Sequence, residues 1–121
     1  MESITREIAQ KGLATAIVIL DAWGCSQAQK RTILNISDGS LKCSHTLGVT
    51  PELLLRISHI LNIHSGLRTL FREPKNVYGF INMVNDNPPF NGRTPLDLIV
   101  SGSLEEMEQV ANHISTLSIG N

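Results

Sequence analysis

The sequence predicts an all-α protein. An N-terminal helical bundle of the helix-turn-helix type, over residues 1–70, precedes a small helical C-terminal domain over residues 71–121. Apolar residues recur at helical spacing, and serine or threonine caps followed by proline, glutamine or an acidic residue mark several helix starts. The best hairpin dipeptide, Asn91 with Gly92, has no alternating apolar runs beside it. These observations favour helices over strands.

The first predicted helix covers residues 4–23 and ends at Gly24, because glycine readily takes the left-handed conformation of a helix stop. Its apolar centre, residues 16–20, could also be a buried strand, but the length of the segment and the absence of proline favour a helix. Ser26 and Gln29 have the spacing of a capping box, which predicts a second helix ending near residue 34.

Residues 26–45 have the order of a helix-turn-helix. The turn falls at Asn35, since asparagine tolerates positive φ, and a third helix is expected from Ser37 towards His45. The second helix of such a unit enters the major groove of DNA. The residues expected to face DNA are Lys30, Arg31, Ser40, Lys42, Ser44 and His45. The alternative is plain helix packing, because the reading helix lacks the arginine, asparagine and glutamine side chains that bind bases bidentately.

The second half of the chain contains further helix starts. Thr50 and Pro51 begin a helix that we expect to end near Asn62, with another helix over residues 63–71. Pro74 begins the next helix, and its expected buried face is Val77, Phe80, Ile81 and Val84.

Two capping patterns predict the last two helices. Thr94 and Asp97 begin a short helix that Gly102 ends, and Ser103 with Glu106 begins the final one. The residues of the final helix expected to face the core are Leu104, Met107, Ala111 and Ile114.

Residues 87–102 contain the pattern Asn-x-x-Phe-x-Gly-Arg-Thr-Pro-Leu-Asp-Leu-Ile and then a glycine-ended helix. This segment resembles the toxin-binding domain of the Xre/MbcA/ParS family of type II antitoxins. Residues 20–24, 60–63 and 67–71 resemble the same family in the same order, so the resemblance covers about residues 13–117. It is loosest at residues 37–50.

The resemblance implies a function. These antitoxins bind and block a toxin that has a RES domain. This domain consumes NAD, and its fold resembles that of ADP-ribosyltransferases. The resemblance also implies a homodimer, and in many members repression of their own operon through an N-terminal Xre-type domain that binds operator DNA. The toxin-binding residues implied are Phe90, Asn91, Arg93, Thr94, Asp97, Ile119, Gly120 and Asn121. The alternative function is a stand-alone DNA-binding transcriptional repressor.

Turn and cap chemistry explains much of the same segment without a partner. Thr94 and Asp97 cap a helix, and Asn91 with Gly92 permits positive φ. Phe90 and Arg93 are what capping does not require, and both residue types are enriched at interface hot spots. Two alternatives stay open, an interface anchor or a structural role in which Arg93 pairs with Asp86 or Asp97.

Other classes of protein have little support in the sequence. A net charge of −1 argues against a generally basic nucleic-acid binder. The histidines His45, His59, His64 and His113 are scattered, and Cys25 and Cys43 are expected to be buried thiols rather than a disulfide. We therefore expect no enzyme, no metal and no cofactor, and a cytoplasmic protein without a membrane span.

Overall fold

The computed structural model describes residues 2–42 and 48–119, and within these the side chains of residues 6–42 and 48–117. The described residues form seven helices and no sheet, which confirms the predicted all-α class. The helices are α1 (Glu2–Ala22), α2 (Gln27–Leu34), α3 (Asp38–Lys42), α4 (Pro51–Leu70), α5 (Pro74–Ile81), α6 (Pro95–Val100) and α7 (Leu104–Ile119). None of these helices has the length and apolar character needed to cross a membrane.

The predicted ends of the first two helices are confirmed. Gly24 has a φ of +87°, and this left-handed conformation ends α1. Ser26 and Gln29 form both bonds of the capping box, at 3.1 Å from the Gln29 amide to Ser26 Oγ and 2.8 Å from the Ser26 amide to Gln29 Oε1. Asn35 follows α2 in the left-handed conformation, with a φ of 54°. α3 is described as far as Lys42, and the predicted continuation towards His45 lies outside the described residues.

The predicted helix end at Asn62 is wrong, because α4 runs without a break from Pro51 to Leu70. The apolar stripe continues through this position, with Ile60, Ile63 and Leu67 fully buried. Burial of that stripe outweighs the modest helix propensity of one exposed asparagine. The helix ends instead at Leu70, because the backbone of the next residue, Phe71, is extended.

Two further details of the predicted packing need correction. Val84 is 59% exposed rather than buried, because α5 ends at Ile81 before the fourth position of the stripe is reached. In α7, Val110 joins Met107 and Ile114 in the core, and the predicted core residues Leu104 and Ala111 are half-buried.

One hydrophobic core is shared by both predicted parts of the chain. α4 packs against both α1 and α7, and α6 lies against α2 and α7. Trp23, Ile60, Leu67 and Met107 are among the fully buried side chains of this core. The predicted boundary at residues 70 and 71 coincides with the end of α4 and does not separate two cores.

Gly102 lies at the closest approach of α2 to the turn before α7. A Cβ atom at this position would lie 2.7 Å from Thr32 Cγ2 and 2.9 Å from the Thr32 carbonyl oxygen. The φ of Gly102 is +77°. We expect Gly102→Ala to lower the free energy of unfolding by about 1–3 kcal/mol, from backbone strain and the clash with Thr32. Urea unfolding monitored by circular dichroism measures this loss.

Gly79→Ala is the matched control for that substitution. Gly79 lies within α5, and a Cβ atom there would meet nothing within 4 Å. This change should therefore stabilise the protein by about 0.5–1 kcal/mol through helix propensity. Equal effects of the two substitutions would contradict the close approach at Gly102.

Candidate functional site

Residues 85–94 form a closed turn in front of α6. The Asn85 amide donates to the Arg93 carbonyl at 3.0 Å, and the Gly92 amide donates back to the Asn85 carbonyl at 2.9 Å. Asn91 and Gly92 have φ values of 52° and 91°, as the sequence predicts for this dipeptide. The turn is thus held by its own backbone bonds, and Asn91 and Arg93 remain exposed on it.

Thr94 and Asp97 anchor the end of this turn to the start of α6. The Asp97 amide donates to Thr94 Oγ1 at 3.0 Å, and the Thr94 amide donates to Asp97 Oδ2 at 2.9 Å. This confirms the predicted capping box. Because the carboxylate of Asp97 is already used by the cap, its first role is to position the turn.

Phe90 points into the protein from this turn. Its side chain is fully buried, and its ring meets the ring of His113 on α7 edge to face, with centroids 5.0 Å apart and an interplanar angle of 85°. Of the two alternatives for this residue, burial favours the structural role. A fully buried ring is not available as a surface anchor in this conformation.

Arg93 pairs with neither of the predicted carboxylates. Its Nη2 lies 3.6 Å from Glu106 Oε1 in the first turn of α7, so the expectation of Asp86 or Asp97 is wrong.

The second predicted capping box, formed by Ser103 and Glu106, is incomplete at Glu106. Its amide donates to Ser103 Oγ at 3.2 Å, but the Ser103 amide donates to Ser101 Oγ instead. The Glu106 carboxylate is thereby left for the turn.

Half of the Arg93 side chain stays exposed, at 49% of its surface. The guanidinium is therefore tethered at one side and accessible at the other. The last predicted toxin-binding residues are less informative, because only the backbone of Ile119 is described, while Gly120 and Asn121 lie outside the described residues.

The predicted DNA-facing cations are engaged within the protein. Lys30 is buried and its ammonium donates to Asp21. Arg31 and Lys42 both pair with Asp38, each at 3.0 Å. Hydrogen bonds from Lys42 and then Arg31 hold the pKa of the Asp38 carboxyl below its usual 3.8. The charge that a phosphate would meet on this unit is therefore largely neutralised.

The expected exposure of Ser40 is also wrong. Ser37 caps α3 through a 3.1 Å bond from the Ser40 amide, and the Ser40 hydroxyl lies 3.1 Å from the same Ser37 oxygen. Ser40 is consequently buried, whereas Lys42 on the following turn is exposed. The two other predicted DNA-reading residues, Ser44 and His45, lie outside the described residues.

Three exposed apolar side chains were missed as candidate site residues. Tyr78, Met83 and Val84 lie along and just beyond α5, and Met83 is 64% exposed. The available signal is Asn82, whose side-chain amide donates to the Tyr78 carbonyl at 3.1 Å where the helix ends. An asparagine after the apolar pair Phe80 and Ile81 is a reason to end the predicted helix there, which leaves Met83 and Val84 outside.

The thiol of Cys25 is not activated. Burial is the main cause that raises its pKa from 9.0 to about 11, and the nearby Lys30 only partly offsets it. The thiol is the weak nucleophile expected of a buried structural cysteine. Among the described residues, no three histidine, cysteine or acidic side chains are grouped so that they could hold a metal ion.

His64, on the inner part of α4, has a pKa below its usual value of 6.5, first because of burial and second because of the positive charge of Arg68. His64 therefore binds a proton more readily in the unfolded chain than in the folded protein. We expect the free energy of unfolding to fall as the pH drops below about 6.5, and not to depend on His64 above it.

Urea unfolding at pH 7.5 and 5.5 tests this expectation. His64→Gln should reduce the difference between the two pH values, since glutamine does not titrate. An unchanged difference would show that other groups carry the pH dependence.

Comparison with protein-family models, with curated proteins and with solved structures found no match for the chain.

Proposed function

We propose that the chain is an antitoxin that binds and neutralises a RES-domain toxin through the exposed side of the closed turn at residues 85–94. The observation that carries the proposal is this turn with its half-exposed Arg93, within the segment that resembles the antitoxin family. Backbone bonds, the Thr94–Asp97 cap and the buried Phe90 ring hold the turn in one shape. A preformed surface loses little conformational entropy on binding, which favours affinity.

Exposed apolar residues lie next in the chain to Asn85, the backbone partner of Arg93. Asn85, which is bonded to the Arg93 carbonyl, directly follows the exposed Met83 and Val84. An accessible guanidinium beside apolar side chains is typical of interface hot spots, because the apolar groups exclude water around the charged contact. A carboxylate of the toxin is the natural partner for the free side of Arg93.

Co-expression with the RES-domain protein of the adjacent reading frame tests the proposal. We expect rescue of growth and co-purification with the wild-type chain. Arg93→Gln should weaken the complex by about 1–3 kcal/mol, with little change in melting temperature. Arg6→Gln, at an exposed arginine of α1, is the matched control and should leave the affinity unchanged.

Failure of both rescue and co-purification with the wild-type chain would reject the antitoxin function. Wild-type affinity of Arg93→Gln, in a complex that still forms, would move the interface away from the turn. These two outcomes separate the function from the site.

Repression of its own operon, by a homodimer on operator DNA, is the second candidate function. Its support is the left-handed Asn35 between α2 and α3, which is the turn that a helix-turn-helix requires. Because Lys30 is buried and Arg31 and Lys42 share Asp38, we expect few phosphate contacts from the described part of this unit. A mobility shift on its own promoter should then depend only weakly on salt. No shift at low salt would reject DNA binding by the isolated chain.

A further inference from the structure

A small cavity lies between the end of α1, the second half of α4 and the start of α5. Its volume is about 60 Å³, and its walls include Trp23, His64, Arg68, Pro74, Val77 and Tyr78. A single water needs roughly 10–15 Å³ of such space, so the cavity has room for a group of about four non-hydrogen atoms. The cavity is distinct from the closed turn at residues 85–94, none of whose residues line it.

The walls of this cavity are mostly apolar, and two of the residues that line it each carry a buried polar atom without a partner. The indole Nε1–H of Trp23 and Nδ1 of His64 are both buried without a hydrogen-bond partner among the described residues. Trp23 itself is 1% exposed. Buried polar atoms without partners are rare in folded proteins, and each is a reason to look for a bound molecule nearby.

The segment that contributes most of the cavity lining, residues 68–78, is basic. Arg68, which lines it, and the neighbouring Arg72 and Lys75 form no ion pair with any described carboxylate. Residues 68–78 contain these three basic side chains and one acidic residue, Glu73, which makes a net charge of 3 − 1 = +2, whereas the whole chain carries −1. The excess favours an anion over a neutral or cationic occupant.

We propose that this cavity binds a small carboxylate, with the Arg68 guanidinium as its counter-ion. The apolar side chains of Pro74 and Val77 suit a stem of one or two carbons. The carboxylate has two possible sources, a free two- or three-carbon acid or an aspartate or glutamate side chain of a bound protein. The proposal does not rest on the antitoxin function.

Fluorescence of the single tryptophan tests the site directly, because Trp23 is the only tryptophan of the chain and it lines the cavity. The full chain is titrated with acetate and propionate at constant ionic strength. We expect a saturable change with a Kd of about 1 mM, the weak affinity of a ligand with so few atoms. Propionamide, which has nearly the same shape and no charge, should give no saturable change.

Two substitutions separate a site from a general charge effect. Arg68→Gln should weaken carboxylate binding roughly tenfold by removing the counter-ion. Arg72→Gln removes an equal charge from a residue that does not line the cavity, and should weaken binding much less than Arg68→Gln does. Thermal melts of both variants check that they are folded. The absence of a saturable response, equal binding of propionamide, or equal losses in the two variants would overturn the proposal.

Binding to a protein partner then identifies the source of the carboxylate. If an acidic side chain of the toxin fills the cavity, saturating acetate and Arg68→Gln should both weaken the toxin complex. If a free acid is the ligand, the complex should be unaffected while the fluorescence titration still responds. Since the titration uses the chain alone, its failure is distinguishable from failure of the antitoxin function.

Discussion

Replacement of Arg56 by methionine should lower the free energy of unfolding by about 2–6 kcal/mol, because two backbone carbonyls lose their donor; this is the largest loss we expect from a single polar substitution. Arg56 lies on α4 with 7% of its surface exposed. Its Nη1 donates to the carbonyls of Ile33 at 2.9 Å and Gly102 at 2.8 Å. One side chain therefore satisfies the end of α2 and the turn before α7, and methionine offers no donor to either carbonyl.

Glu52 completes this arrangement. Its Oε2 lies 3.5 Å from Arg56 Nε and accepts from Asn35 Nδ2 at 3.0 Å. The contact with Nε is an ion pair rather than a hydrogen bond, since Nε has no hydrogen-bond partner. Arg56→Met would also leave the Glu52 carboxylate without its cation, which adds little to the loss because half of that side chain is exposed to water.

Urea unfolding measures this prediction, and Arg68→Met is its control. Arg68 lies on the same helix but is exposed and donates to no described backbone carbonyl, so its replacement should change stability by no more than about 0.5 kcal/mol. Arg56→Lys should fall between wild type and Arg56→Met, because lysine retains the charge but not the planar fork of donors. A variant Arg56→Met as stable as wild type would show that the two carbonyls find other donors at little cost.

Replacement of Phe90 by alanine should cost about 3–5 kcal/mol, the range for truncating a fully buried aromatic ring. The ring is fully buried and packs edge to face on His113, so its loss opens a cavity between the closed turn and α7. The melting temperature should fall accordingly. Met83→Ala is the control, since that side chain is 64% exposed and should contribute little to stability.

Toxin binding by the same two variants separates fold from interface. At a temperature where Phe90→Ala is still folded, we expect its affinity for the toxin to fall because the turn is less well ordered. Met83→Ala should keep its melting temperature and lose affinity if the exposed apolar residues beside the turn contact the toxin. A Phe90→Ala protein with unchanged melting temperature would show that the ring is not part of the core.

Local chemistry explains why so many helix ends could be predicted from the sequence. The Ser26–Gln29 and Thr94–Asp97 boxes join residues three apart, and Gly24 and Asn35 need only their own backbone preferences. Both partners of such an interaction lie within one helical turn of each other. They are therefore readable from a short stretch of sequence, whatever the rest of the chain does.

The closed turn of the candidate site depends on local chemistry in the same way. The sequence placed the closed turn and its cap correctly, but it left the roles of Phe90 and Arg93 open. Those roles depend on α7, which brings His113 to the Phe90 ring and Glu106 to the Arg93 guanidinium. The cavity beside Trp23 likewise requires three helices to meet, so no short stretch of the sequence predicts it.

The sequence by itself determined the all-α class, most helix starts and the turn conformations at Asn35 and Asn91, because each depends on neighbours within about four residues. Tertiary structure alone decided that α4 continues through Asn62 and that Lys30 is buried. It also decided that Arg56 reaches Gly102, 46 residues away in the chain. The physical reason is that burial and long-range hydrogen bonds depend on which helices pack together, and that packing outweighs weak local preferences.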